Sequence, residues 1–326
     1  MASRRLLLAP PIILVIALGA AGAYYLRPDW MRPRVRPTPT VADFVYGHDS
    51  PRQKLDFWQA KSDKPTPVVL LVHGGGWMEG DKTIYVTRWI QPFLDAGISV
   101  AAVNYRFLPE ATEQGIEPPV KACYEDVARA VQTIRSKAKE WNIDPMRIGA
   151  NGNSAGACSL LWLALHDDLA DPASSDPVAR ESSRLTCAAV RSAQTSLDPR
   201  QVREWIPNAD YGGGAFGFSE PGRERPAEFE LALENRDKIE PWIKEYSPIE
   251  LVTPDDPPLY LDYPLQEKPP RLGQPEEDPT HAAVYGLQLA ERLKAAGVEA
   301  VVTYPGHDDA RYGSIHAFLI DKLRAE

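Results

Sequence analysis

From residue 41 onward, short apolar runs alternate with longer stretches of helical spacing. A continuous apolar run of four to eight residues reads as a strand buried on both faces. Apolar residues at every third or fourth position read as a helix lying on a core. By that rule Val68–His73 (VVLLVH), Ile98–Val103, Arg147–Asn151, Cys187–Ala193 and Pro258–Tyr263 are expected strands, with a last strand over 298–304. Residues 43–48 and 54–60 are expected to open the domain as an antiparallel pair. Over 120–140, Val120, Cys123, Val127, Val131 and Ile134 fall on one side of a helix. Ser154–His166 is a strongly apolar helix, a helix over about 281–296 is closed by Gly297, and a terminal helix starts near 313. This rhythm predicts βα units: an α/β class with a mostly parallel central sheet and helices on both faces. Residues 198–247, rich in Gly, Pro and aromatics, break it and read as an inserted cap. A Pro-rich loop follows at 264–279.

The first forty residues read differently. Arg4 and Arg5 precede an apolar stretch from Leu6 to about Leu26, and Ala21, Gly22 and Ala23 close it in an A-x-A pattern. That is the layout of an export signal. The stretch is also long enough to anchor the chain in a membrane through residues 6–26. Residues 27–40 (RPDWMRPRVRPTPT) form a Pro-rich, basic linker that stays extended. The expected organisation is a signal peptide or anchor over 1–26, a linker over 27–40 and a working domain over 41–326. That domain is expected outside the cytoplasm: periplasmic, extracellular, or anchored and facing outward.

Composition narrows the chemistry. A formal net charge of −9 over 326 residues argues against nucleic acid as a partner, since no basic stripe could neutralise phosphates. Cys123, Cys158 and Cys187 show no metal-ligand spacing and lie in apolar stretches, so no zinc site is expected, and the chemistry read below needs neither metal nor organic cofactor.

Two segments carry chemistry. Gly152-Asn153-Ser154-Ala155-Gly156 fits G-x-S-x-G, between a strand-like run and an apolar helix. A serine at such a tight turn stands clear of the sheet, at a helix N-terminus whose amides favour developing negative charge. His73-Gly74-Gly75-Gly76-Trp77 follows a buried strand upstream of it. Three successive glycines let backbone N–H groups face a cavity, where they can stabilise the oxyanion of a tetrahedral intermediate.

Together with Gly80-Asp81-Lys82, VNYR at 103–106, EDVARAV at 125–131 and SPIELV at 247–252, these segments resemble the esterase/lipase group of α/β-hydrolases. More narrowly, they resemble carboxylesterases of the hormone-sensitive-lipase and feruloyl or acetyl-xylan esterase kind. The resemblance covers about 45–325 and implies the α/β-hydrolase fold with a cap. It implies Gly75, Gly76 and Ala155 as oxyanion-hole amides, with Asp126, Tyr105 and Arg106 as structural supports. Where the family reads GDSAGG, this chain has Asn153 and Ala157.

In this fold the order is serine, then acid, then histidine. Asp278, before Pro279, stands where the family carries its acid, and Asp262 is the second candidate. Among six histidines, His307 follows the last strand and is the expected base. His316 is the alternative, while His281 would line the pocket or cap its helix. Trp77, Trp205, Phe216 and Phe218 are expected to bind substrate. The expectation is a serine hydrolase of carboxylic esters, acting through an acyl-enzyme on a small ester or an acylated polysaccharide. A peptidase or amidase of the same fold, or a non-catalytic binding member, is the alternative. The oligomeric state is left open.

Overall fold

A computed structural model describes residues 35–220 and 222–324 of the chain. The expected signal or anchor over 1–26, and most of the linker, lie outside these residues. Among the described residues, no helix is long and apolar enough to cross a membrane.

The centre is an eight-stranded sheet in the order β1-β2-β4-β3-β5-β6-β7-β8. Its strands are β1 (Val41–Val45), β2 (Lys54–Trp58), β3 (Thr66–Val72), β4 (Ser99–Val103), β5 (Ile143–Asn153), β6 (Cys187–Arg191), β7 (Leu259–Asp262) and β8 (Ala300–Thr303). Strand β2 runs antiparallel to β1 and β4, and every other pairing is parallel. The side-chain period of two, with a core on each face, explains why β3 is apolar from Pro67 to Val72. Val68, Leu70 and Val72 enter one core, and Val69 and Leu71 enter the core on the opposite face.

Helices cover both faces: α1 (Thr87–Asp95), α2 (Leu108–Glu113), α3 (Val120–Ser136), α4 (Ala155–Leu165), α5 (Pro199–Trp205), α6 (Arg225–Glu234), α7 (Glu240–Tyr246), α8 (Val284–Ala296) and α9 (Ile315–Arg324). Every residue of α4 (AGACSLLWLAL) is buried, which is why it carries no polar stripe. Helix α3 packs beside it through the apolar positions of its spacing, including Val120, Cys123, Val127, Val131 and Ile134. Helices α5, α6 and α7 occupy the segment between β6 and β7 where the βα rhythm lapses. Helix α8 begins at Val284, not 281, and Gly297 closes it in the left-handed conformation (φ 82°).

Candidate active site

Ser154 joins β5 to α4 with φ 50° and ψ −123°. Its N–H donates to Arg191 O on β6 at 2.9 Å, which fixes the turn to the sheet. The turn closes because Gly156 has no side chain: a Cβ there would run into the carbonyl oxygens of Val72 and His73. The end of β3 and the start of α4 therefore touch backbone to backbone. At Gly74 a Cβ would stand 2.7 Å from Asn153 O and 3.2 Å from Ser154 Cβ, so the glycine loop lies directly against the serine.

The loop is held from behind. Tyr105 donates its hydroxyl to His73 O at 2.8 Å, and its ring stacks on His73 at 4.5 Å. Burial, the largest influence on His73, lowers its pKa to about 4, so the ring is neutral near pH 7. Arg52 donates to Tyr105 O and Gly80 O, both at 2.9 Å. Asp126 accepts from the Arg106 guanidinium at 2.7 Å, from the Arg106 N–H at 2.8 Å and from Gln53 Nε2 at 2.7 Å, all in the interior. Gly75 and Gly76 take φ values of 108° and 62°. Their amides make no hydrogen bond among the described residues. The Ala155 amide belongs to the first turn of α4, where intrahelical acceptors are missing.

The imidazole at the serine belongs to His281. Its Nε2 lies 3.0 Å from Ser154 Oγ, and its Nδ1 lies 2.8 Å from Asp278 Oδ2. A carboxylate can only accept, so Nδ1 carries the proton and Nε2 accepts from the serine hydroxyl. Asp278-Pro279-Thr280-His281 is a turn in which the His281 N–H donates to Asp278 O at 3.2 Å. Both groups thus come from the loop between β7 and α8.

The expected base, His307, is elsewhere. Backbone bonds between Tyr304 and His307 close a turn after β8, and the exposed His307 ring stacks on Tyr304 at 4.9 Å. His316 packs its ring 5.7 Å from Trp89 and 4.9 Å from Phe93. Asp262 is engaged across the sheet, accepting from Arg191 Nε at 2.9 Å and Thr303 Oγ1 at 3.1 Å. His281 was legible as a pocket or capping residue, but its proximity to Asp278 in one turn was the signal that could have singled it out.

Of the four aromatic residues expected to bind substrate, Trp77 borders the cavity beside the glycine loop, while Trp205, Phe216 and Phe218 do not line it. Trp77 is 1% exposed and donates its indole N–H to Ser159 Oγ at 3.0 Å, anchoring the glycine loop in the core. Trp205 packs edge-on to Tyr285, and Phe216 stacks on Trp242. Phe218 is half-buried against the main core. Trp205, Phe216 and Phe218 are used in packing, because the segment between β6 and β7 has to bury its own apolar surface.

Two cavities flank the serine's neighbours. One of ≈ 390 Å³ separates Gly75, Gly76 and Met78 from Tyr211, Ser219 and Glu228. The other, of ≈ 360 Å³, is enclosed by the 265–281 loop and reaches Asp278 and His281, with Lys268, Arg271, Gln274 and Glu277 in its walls. Among the described residues no group of His, Cys, Asp and Glu side chains is arranged to hold a metal ion.

A mostly parallel sheet, a serine at a strained strand-to-helix turn and a His–Asp pair after β7 define an α/β-hydrolase. The chain belongs to the BD-FAE family of α/β-hydrolase esterases, whose family model matches residues 55–263. A protein of Arabidopsis thaliana named "Probable isoprenylcysteine alpha-carbonyl methylesterase" is 30% identical over 142 residues, 43% of this chain. The match spans 28% of the length of that relative. Among solved structures, a truncated carbohydrate esterase from gut microbiota superposes with a TM-score of 0.63 at 19% identity. That match covers 90% of this chain and 99% of the other. An acetyl ester-xyloside bifunctional hydrolase from Caldicellulosiruptor lactoaceticus gives a TM-score of 0.56 at 24% identity, over 77% and 76% of the two chains. At these identities the structural likeness is one of fold.

Proposed function

We propose that this chain hydrolyses carboxylic esters with Ser154 as nucleophile, His281 as general base and acid, and Asp278 as the carboxylate that orients His281. The observation that carries this reading is the continuous hydrogen-bonded relay from Ser154 Oγ through His281 to Asp278. As Ser154 attacks the ester carbonyl, His281 Nε2 takes its proton, and Asp278 stabilises the resulting imidazolium. The amides of Gly75, Gly76 and Ala155 receive the developing oxyanion. Collapse of the tetrahedral intermediate expels the alcohol, which takes its proton from His281. Water, activated by the same imidazole, then releases the acid from the acyl-enzyme.

The leaving oxygen must come within reach of His281 Nε2, and the cavity of the 265–281 loop, which His281 borders, supports a place for the alcohol. Its charged and amide-bearing walls support a hydrophilic alcohol, in a small ester or an acylated polysaccharide. The basic, apolar and small-residue order of residues 4–23 supports export, with the substrate met outside the cytoplasm.

The test is hydrolysis of p-nitrophenyl acetate and of a peptide p-nitroanilide by the wild type and Ser154→Ala. Turnover of the ester with a loss of roughly 10⁴-fold or more in the variant is expected, as for removal of a nucleophile from such a relay. Equal turnover by both proteins, or a clear preference for the anilide, would overturn the reading.

A further inference from the structure

Because acid and base share one loop, their placement depends on how that loop is fixed to the sheet. Its margin is closed by Gln266, 6% exposed, whose Oε1 accepts from Ala283 N at 2.8 Å. The Gln266 Nε2 donates to Lys268 O at 2.7 Å and Glu276 Oε2 at 2.8 Å. The segment between β6 and β7 holds the outer side: Asn208 Nδ2 donates to Glu276 O at 2.8 Å, and Asn208 Oδ1 accepts from Glu276 N at 3.0 Å. Neither contact reaches the turn that carries His281. A side chain from beyond the end of β6 reaches its backbone. Gln194, 1% exposed and three residues beyond the end of β6, donates Nε2 to Thr280 O at 2.5 Å. Thr280 directly precedes His281. The same Nε2 lies 3.4 Å from Ser192 O, so the amide orientation is set by two carbonyl acceptors.

Gln194 Oε1 is buried and has no hydrogen-bond partner among the described residues. A buried acceptor left unpaired is unfavourable for stability, and an apolar side chain of the same shape would not incur that penalty. The amide is therefore poorly explained as packing and well explained by what its N–H group grips.

We infer that Gln194 is a positioning residue for the base, fixing the Thr280 carbonyl so that the His281 ring stays in line between Ser154 Oγ and Asp278. The inference rests on the proposed ester hydrolysis. Without the bond, the Asp278–His281 turn keeps its internal contacts but shifts as a unit relative to the serine. Displacements of about 1 Å at a reacting centre cost on the order of 10²-fold in rate.

The experiment measures kcat and KM for p-nitrophenyl acetate, and the rate at which a fluorophosphonate modifies Ser154, in Gln194→Met and Gln194→Glu. Both keep the length of the side chain; Met has no donor and an ionised Glu has none. Rates are expressed per active site titrated at the end of the phosphonate reaction. The expected result is a fall of roughly 10- to 100-fold in kcat and in the phosphonylation rate, with KM within about twofold. Gln194→Glu is expected to lose more as pH rises and its carboxyl ionises. A per-site kcat equal to that of the wild type in either variant, with any deficit explained by fewer titratable sites, would overturn the inference. A wild type without esterase activity would instead overturn the proposed function, so the two failures are distinguishable.

Discussion

A φ of 50° costs a serine about 1–3 kcal/mol, and Ser154 retains it because its neighbours over-determine the turn. The Arg191 carbonyl takes its N–H, the helix behind it is buried all round, and His281 takes its hydroxyl. His73 supports the same place through a neutral ring, and its titration is measurable. Its folded pKa of about 4 lies below the ordinary 6.5, so the unfolded chain binds the extra proton first as pH falls. Stability from His73 is thus fully present above about pH 6.5 and is lost as pH drops toward 4, by an amount on the order of 3 kcal/mol. Burial lowers the His316 pKa and acts with the same sign. Urea unfolding at pH 7 and pH 4.5 should show a smaller pH-dependent loss in His73→Asn than in the wild type. Equal losses in the two proteins would contradict this account of His73.

Among elements, the junction of β3, β5 and α4 sets the serine and the oxyanion amides at once. Gly156→Ala would drive a methyl group into the carbonyls of Val72 and His73. Backbone on both sides leaves little room to relax, so α4 must move away from β3, carrying Ser154 and the Ala155 amide with it. A destabilisation of about 1–3 kcal/mol is expected by denaturant unfolding, together with a lower kcat. Wild-type stability and turnover would show that the close approach is not needed. The loop between β7 and α8 is the other decisive element. It brings acid and base together in one four-residue turn, so their mutual geometry is local while their position relative to Ser154 is tertiary.

For the whole molecule, what the sequence made legible follows from burial. Strands covered on both faces leave unbroken apolar runs, so β3, β4, β6 and β7 lie close to where those runs stand. The Ser154 turn and the glycine loop were legible because each needs small residues at fixed places. Helices α1 and α2 were missed, being short and only partly buried. His281 was missed as the base for a related reason. Apolar spacing extended the next helix back to 281, whereas the chain there is still a turn, and the strand-end rule pointed to His307. Aromatic residues between β6 and β7 read as pocket walls, although most of that segment's apolar surface is used to seat its own helices. The most direct test of this account compares kcat/KM for p-nitrophenyl acetate in His281→Ala and His307→Ala, each per folded protein. A loss of roughly 10³-fold or more at position 281, with His307→Ala within about twofold of the wild type, is the predicted result. A large loss confined to His307→Ala, or no loss in His281→Ala, would contradict it.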